Sequence, residues 1–139
     1  MNKTLKDPKI KIGSILLEKL FFEAFDVEKP DMTIDSKFSI DRIFSNNQKE
    51  LKIRLTAKLM EKNPNPPVKI EVVISATFTA EGKDNFPLQD FAKINAPAIL
   101  FPFLREVIAD ITMRSKYPPL LLNPANVYKI VDEDQLLES

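Results

Sequence analysis
The feature that most restricts this chain is a pair of strictly alternating runs at its centre. Leu51, Ile53, Leu55, Ala57 and Leu59 alternate with Lys52, Arg54, Thr56 and Lys58. After the cluster Asn63-Pro64-Asn65-Pro66-Pro67 the pattern resumes. Val68, Ile70, Val72, Ile74, Ala76, Phe78 and Ala80 fall on one face, and Lys69, Glu71, Val73, Ser75, Thr77 and Thr79 on the other. Successive strand side chains point to opposite sides of a sheet, so period-two patterning marks a strand with one dry and one wet face. Two such runs, separated by a short proline-rich turn, predict an antiparallel hairpin. Its apolar face has to be covered by a second layer.

The flanks supply candidates for the rest of the sheet and for that layer. Residues 37–44, with Phe38, Ile40, Ile43 and Phe44, predict a further strand, and the slip between Ile40 and Ile43 predicts a bulge or a short strand. Upstream, Ile10 and Ile12 alternate, whereas Ile15, Leu16, Leu20, Phe21 and Phe25 also suit a helix face, so the pattern leaves both open. A charged connector containing Pro30 follows Phe25 and is long enough to cross a neighbouring strand. Beyond Gly82 the period changes. Asn95 is placed to cap a helix with Pro97 in its first turn. Leu100, Phe103/Leu104, Val107/Ile108 and Ile111 then recur at helical spacing. Pro102 is expected to kink or delay that helix, and Tyr117-Pro118-Pro119 to end it. Asn123-Pro124 predicts a short terminal helix through Val127, Ile130, Val131 and Leu137. Strands followed by helices in 139 residues imply one α+β domain spanning 1–139.

Composition removes most enzyme chemistry. The chain has no Cys, His or Trp, and its only glycines are Gly13 and Gly82. Thiol nucleophiles, Ser-His-Asp triads, Cys/His zinc sites and disulfides are excluded, as are glycine-rich phosphate loops. Neither an enzyme nor a cofactor is expected. With 20 basic and 20 acidic residues the formal charge is zero, which argues against nucleic acid, whose binding needs concentrated positive charge. The longest near-apolar stretch, residues 96–104, falls far short of the roughly 20 residues that span a bilayer. No secretory leader is evident at the N-terminus, so a soluble, cytoplasmic protein without membrane insertion is expected.

The acidic run Asp132, Glu133, Asp134 and Glu138 lacks calcium-loop spacing and reads as a solvated helix face, not a metal site. Tyr117 and Tyr128 could donate hydrogen bonds in a site, but two tyrosines in 139 residues need no special role; the cationic side of residues 52–58 could attract an anionic partner but reads as a wet sheet face. Ten phenylalanines without a tryptophan are more distinctive. Phe21, Phe22, Phe25, Phe38 and Phe44 lie in segments of irregular period, either as ordinary core or as an apolar groove for other polypeptides or an oligomer interface.

Three segments carry a family likeness. Asn95-Ala96-Pro97-Ala98-Ile99-Leu100-Phe101-Pro102-Phe103-Leu104-Arg105-Glu106 resembles the run that opens the long helix of the SecB family of protein-export chaperones. Tyr117-Pro118-Pro119-Leu120-Leu121-Leu122-Asn123-Pro124-Ala125-Asn126 is similar to that family's linker into its last helix, and Phe22-Glu23-Ala24 to the end of its first strand. The resemblance covers residues 9–130. It implies a four-stranded antiparallel sheet with two C-terminal helices on one face, the first segment being a strand, assembled as a homotetramer (a dimer of dimers). It also implies an ATP-independent holdase that binds unfolded polypeptides in apolar grooves and delivers them to the Sec translocase. The groove would lie between Phe22, Phe25, Val27, Met32 and Ile34 on one side and Leu120, Leu121 and Leu122 on the other.

Family members dock the motor SecA through acidic residues on the outer sheet face, where Glu23 and Glu71 stand here, and through a C-terminal tail. Lys19 and Lys69 replace an acidic and an apolar residue of the family, and with the sequence ending at Ser139 no mobile tail is expected. Those departures weaken the expected SecA contact. They leave a second reading, a dedicated SecB-like chaperone for one client such as the antitoxin of a toxin–antitoxin pair. A third, from another class, is a small-molecule or lipid carrier with a phenylalanine-lined cavity.

Overall fold
Along the chain the elements run β1 (Lys9–Ile12), β2 (Leu16–Ala24), β3 (Ser36–Phe44), β4 (Glu50–Leu59), β5 (Val68–Glu81), α1 (Leu88–Lys93) and α2 (Asn95–Thr112). They come from a computed structural model that describes residues 9–81, 88–124 and 126. The expected hairpin is the centre of the sheet, with β4 and β5 paired from Glu50 opposite Thr79 to Leu59 opposite Ile70. β3 lies outside β4, while β1 and β2 both run along the far side of β5, all antiparallel.

The sheet has five strands because its first edge is broken at Gly13-Ser14-Ile15. In outline this is still one long edge strand, so the expected α+β architecture holds. Ile12 faces Phe78 and Leu16 faces Ser75, so three edge residues oppose two of β5; the register shifts again between Leu17 and Lys19. Each such bulge turns the strand over by one position. Ile12, Leu17, Leu20 and Phe22 therefore share the inner face with Phe78, Ile74, Val72 and Ile70 despite their uneven spacing. That unevenness is what made the segment look partly helical. At the break, the Gly13 N–H donates to Thr77 O at 2.8 Å, and a Cβ on Gly13 would sit 3.3 Å from that same oxygen.

The bulge expected in β3 is absent: its nine residues pair with β4 without a shift. The apparent slip arises because Arg42 occupies the inner face between Ile40 and Phe44. Its Nε donates to Ala92 O at 3.0 Å, near the end of α1, while Ile43 turns outward and is 53% exposed. An arginine can take an inner position when its guanidinium meets a carbonyl at a helix terminus, where backbone acceptors lack intrahelical partners.

The second layer is α2. Ala96, Leu100, Leu104 and Ile108, spaced four apart, are fully buried against Leu51, Ile53, Leu55, Val72 and Phe78. α1 was not foreseen; its Phe91 meets Phe78 edge-to-face with ring centres 5.2 Å apart. The expected cap at Asn95 does not form, because Ile94 already has helical backbone angles and no side chain caps the helix. α1 runs almost directly into α2 and leaves Asn95 inside. Nor does Pro102 delay the helix, which is continuous from Asn95 to Thr112. Pro102 and Ala98, whose carbonyl would have bonded the missing N–H, are both exposed, so water can take that acceptor. The helix ends at Thr112, before Tyr117-Pro118-Pro119. At the far end, the Asn126 N–H bonds Asn123 O in a turn at Pro124. The terminal helix expected beyond it, with Val127, Tyr128 and the acidic run, lies outside the described residues, as does Gly82.

Leu55, fully buried at the centre of β4, tests this core. Leu55→Ala should lower unfolding free energy by about 2–5 kcal/mol in urea titrations, the range for a buried leucine that leaves a cavity.

Candidate functional site
Where α2 stops, a buried hydroxyl sets the path of the chain. Thr112 Oγ1 donates back to Ile108 O at 2.8 Å and accepts the Leu120 N–H at 2.8 Å. Two residues on, Arg105 Nε donates to Leu122 O at 2.8 Å. These bonds hold residues 120–122 extended, so their side chains alternate. Leu120 and Leu122 turn inward, at 7% and 2% exposure, and Leu121 turns out at 57%. Of the three leucines assigned to the groove by resemblance, Leu121 is presented to solvent, Leu120 lies beneath it, and Leu122 belongs to the core.

The opposite wall is the connector between β2 and β3, held by the turn between β4 and β5. Asn63 Nδ2 donates to Asp31 O at 2.7 Å and to Thr33 O at 3.1 Å, and Asn65 Nδ2 donates to Lys29 O at 2.9 Å. The Asp31 N–H bonds Asn65 O and the Phe25 N–H bonds Pro67 O. Further along, Asp35 O accepts the Met60 N–H at 2.8 Å and Asp35 Oδ2 accepts the Lys62 N–H at 3.0 Å. The Asn-Pro-Asn-Pro-Pro sequence thus does more than end a strand: its amides satisfy the carbonyls of an otherwise unpaired segment.

Between connector and linker lies an apolar cavity of about 120 Å³, lined by Met32, Ile34, Met60, Pro67, Val68, Thr112 and residues 117–121. Met32 and Ile34 are 49% and 45% exposed at its edge, and Met60, at 1%, is beneath them. Met60 adopts a left-handed backbone (φ 61°), uncommon outside glycine and the short polar residues. Phe22, Phe25 and Val27 are half-buried alongside but do not line the cavity. The walls meet at Tyr117, whose hydroxyl donates to Phe25 O and accepts the Val27 N–H at 3.3 Å. Beside it, Lys116 pairs with Asp26, whose carboxyl is held below the usual range by that hydrogen bond. Nothing in residue pattern singled out Thr112, Asn63, Asn65 or Met60, the recurring Asn-Pro pairs being the nearest signal; Tyr117, set aside as needing no special role, has one, because its hydroxyl bonds two backbone groups of the connector.

On the outer sheet face, carboxylates are matched by cations. Glu18, at the second bulge, receives Arg54 Nε and Nη2 at 3.0 and 3.2 Å, with Lys52 Nζ at 3.9 Å. Hydrogen bonds from Arg54, then Ser75, lower its pKa from 4.5 to about 2. Glu71 pairs with Lys19 and, at 3.7 Å, with Lys58, and the Lys19 hydrogen bond is the main cause of its lowered pKa. Glu23 stands opposite Lys69. Both acidic positions named for motor docking are therefore next to lysines. Among the described residues no cluster of His, Cys, Asp and Glu could hold a metal, and no helix is long and apolar enough to cross a membrane.

A bulged edge strand, a long hairpin, and a helix that passes into a proline-rich linker over an apolar groove define an α+β fold of the SecB type. The family model described as preprotein translocase subunit SecB matches residues 7–135, and the chain belongs to that family. It is 32% identical over 96 residues to the protein-export protein SecB of Ruegeria pomeroyi, covering 68% of this chain and 58% of that relative's length. It is 26% identical over 135 residues to the protein of the same name from Thiobacillus denitrificans, covering 86% and 85%. The SecB-like chaperone of Mycobacterium tuberculosis, solved with a ChAD peptide from an antitoxin, shares the fold at TM-score 0.67 and 21% identity, covering 82% of this chain and 86% of that one.

Two measurements test this geometry. Thr112→Val leaves the buried Leu120 N–H without its acceptor, so urea titration should show a loss of about 1–3 kcal/mol, with faster exchange of that amide. Glu18 has a folded pKa below its unfolded value, so its stabilisation is full above about pH 4.5 and lost as pH falls towards 2. Glu18→Gln should therefore melt below wild type at pH 7 and level with it near pH 2.

Proposed function
We propose that this chain is an ATP-independent holdase that binds unfolded polypeptides along the groove between connector and linker. The observation that carries the reading is the apolar cavity bounded by Met32, Ile34 and Leu121 in a SecB-family fold. Loose contacts at apolar side chains suit a client without fixed sequence, and flexible methionines adapt to whatever side chain arrives. Phe22, Phe25 and Val27 extend the groove beyond the cavity. The working form is a homotetramer, a dimer of dimers, in the cytoplasm, where precursors await export. No chemistry is required of it, and no enzyme activity or cofactor is assigned.

Delivery to the Sec translocase is the part of the reading with least support from charge. Lys19 and Lys58 compensate Glu71, and Lys69 faces Glu23, so the outer face offers a basic motor little unpaired negative charge. This favours a second reading, a chaperone dedicated to one client. The Mycobacterium tuberculosis neighbour, solved with a peptide from an antitoxin, makes such a client a concrete candidate.

Light scattering of a chemically unfolded secretory precursor, with and without stoichiometric protein, tests the holdase. Suppressed aggregation supports it, and unchanged aggregation of that precursor and of antitoxin-derived segments rejects it. Native mass tests the assembly, and a monomer would favour the small-molecule or lipid carrier. Leu121→Asp should weaken client binding about ten- to a hundredfold, from lost apolar burial and an added charge, with an unchanged circular-dichroism spectrum.

A further inference from the structure
We infer that the Tyr117 hydroxyl is a positioning group that sets the spacing between the two walls of the groove, an inference that rests on the holdase reading. The two walls come from segments far apart in sequence. The connector is anchored by Asn63, Asn65 and Asp35 to the turn between β4 and β5. The linker is anchored to α2, through Thr112 Oγ1 at Leu120 and through Ser115, whose hydroxyl donates to Thr112 O at 2.6 Å and accepts the Tyr117 N–H at 3.2 Å. Each wall thus has its own footing, one on the hairpin turn and one on α2, and none of these anchoring bonds runs from wall to wall.

Tyr117 spans that gap. Its hydroxyl takes both backbone groups that flank Asp26, donating to Phe25 O and accepting the Val27 N–H. One side-chain atom thereby occupies a carbonyl and an amide two residues apart, the pair that a parallel strand residue would bond. The half-buried ring also lines the cavity. The neighbouring Lys116–Asp26 pair crosses the same gap, but with side chains 54% and 96% exposed it is solvent-screened and holds weakly. The phenol is therefore the bond that keeps Met32 and Ile34 at a set distance from Leu121. A groove set before the client arrives spares the ordering cost that two independent segments would incur on binding.

Tyr117→Phe keeps the ring, its contact with the cavity and its place beneath Lys116, and removes only the two hydrogen bonds. The probe is fluorophore-labelled, reduced and carboxymethylated α-lactalbumin, a permanently unfolded chain. Wild type should bind it, and Tyr117→Phe should raise Kd about tenfold, mostly through faster dissociation. Amide exchange at Val27 should accelerate while that of β4 and β5 stays as in wild type, a pattern that general destabilisation would not produce. Lys116→Gln should change Kd less than about twofold.

If wild type fails to bind the probe, the reading as a holdase for unfolded chains in general falls, and this inference, which rests on it, is overturned. If wild type binds and Tyr117→Phe binds equally well, the positioning role alone is overturned. Equal exchange at Val27 in the two proteins overturns it as well. Should Tyr117→Phe lose protection throughout β4 and β5, the tyrosine is a core residue, and the positioning role is rejected.

Discussion
The groove is referenced to the C-terminal end of α2, and α2 is placed by one constraint: the inner face of β4 and β5 must be covered. Leu51, Ile53, Leu55, Ala57 and Phe78 are wholly buried, which is possible because Leu100, Leu104 and Ile108 interlock with them. Burial of this kind is non-directional and sets only where the helix lies. Direction enters at the last turn, where the Thr112 hydroxyl bonds Ile108 O within the helix and the Leu120 N–H of the linker at once. Apolar packing thus decides the position of the groove, and a few directional bonds decide its shape.

The outer face follows a different logic. Glu18 and Glu71 each lie between two cations, so the negative charge of both is answered within the sheet. Pairs this exposed contribute modestly to stability and weaken with salt. Their larger effect is on encounter, because carboxylates already answered within the sheet leave little negative field to steer a basic partner.

Much of the fold was legible because β4 and β5 obey period two over their length and α2 keeps its stripe. Legibility failed where a single residue departed from the pattern for a local reason. Arg42 interrupts the inner face of β3 to reach a carbonyl of α1, and two inserted residues at the first edge shift Leu17 and Leu20 out of simple alternation. Both look like noise in a one-dimensional reading, since the compensating partner is distant in the chain. The groove was half legible. Likeness to the SecB family named Met32, Ile34 and Leu121, but it could not distinguish Leu122, which faces the core, from its neighbour. The groups that shape the site, Asn63, Asn65, Thr112 and Tyr117, act by bonding remote backbone. Residue type alone does not announce that work.

Met60 shows how closely shape and strain are joined here. A left-handed backbone at a residue with a side chain costs about 1–2 kcal/mol, and glycine would remove that penalty. Glycine would also remove a fully buried side chain, a loss of about 2–5 kcal/mol that exceeds the gain, and would deepen the hollow under Met32 and Ile34. Backbone comfort and a filled core are incompatible at this position. The fold keeps the side chain, so at Met60 local strain is held in place by packing, and the floor of the cavity is itself part of the core.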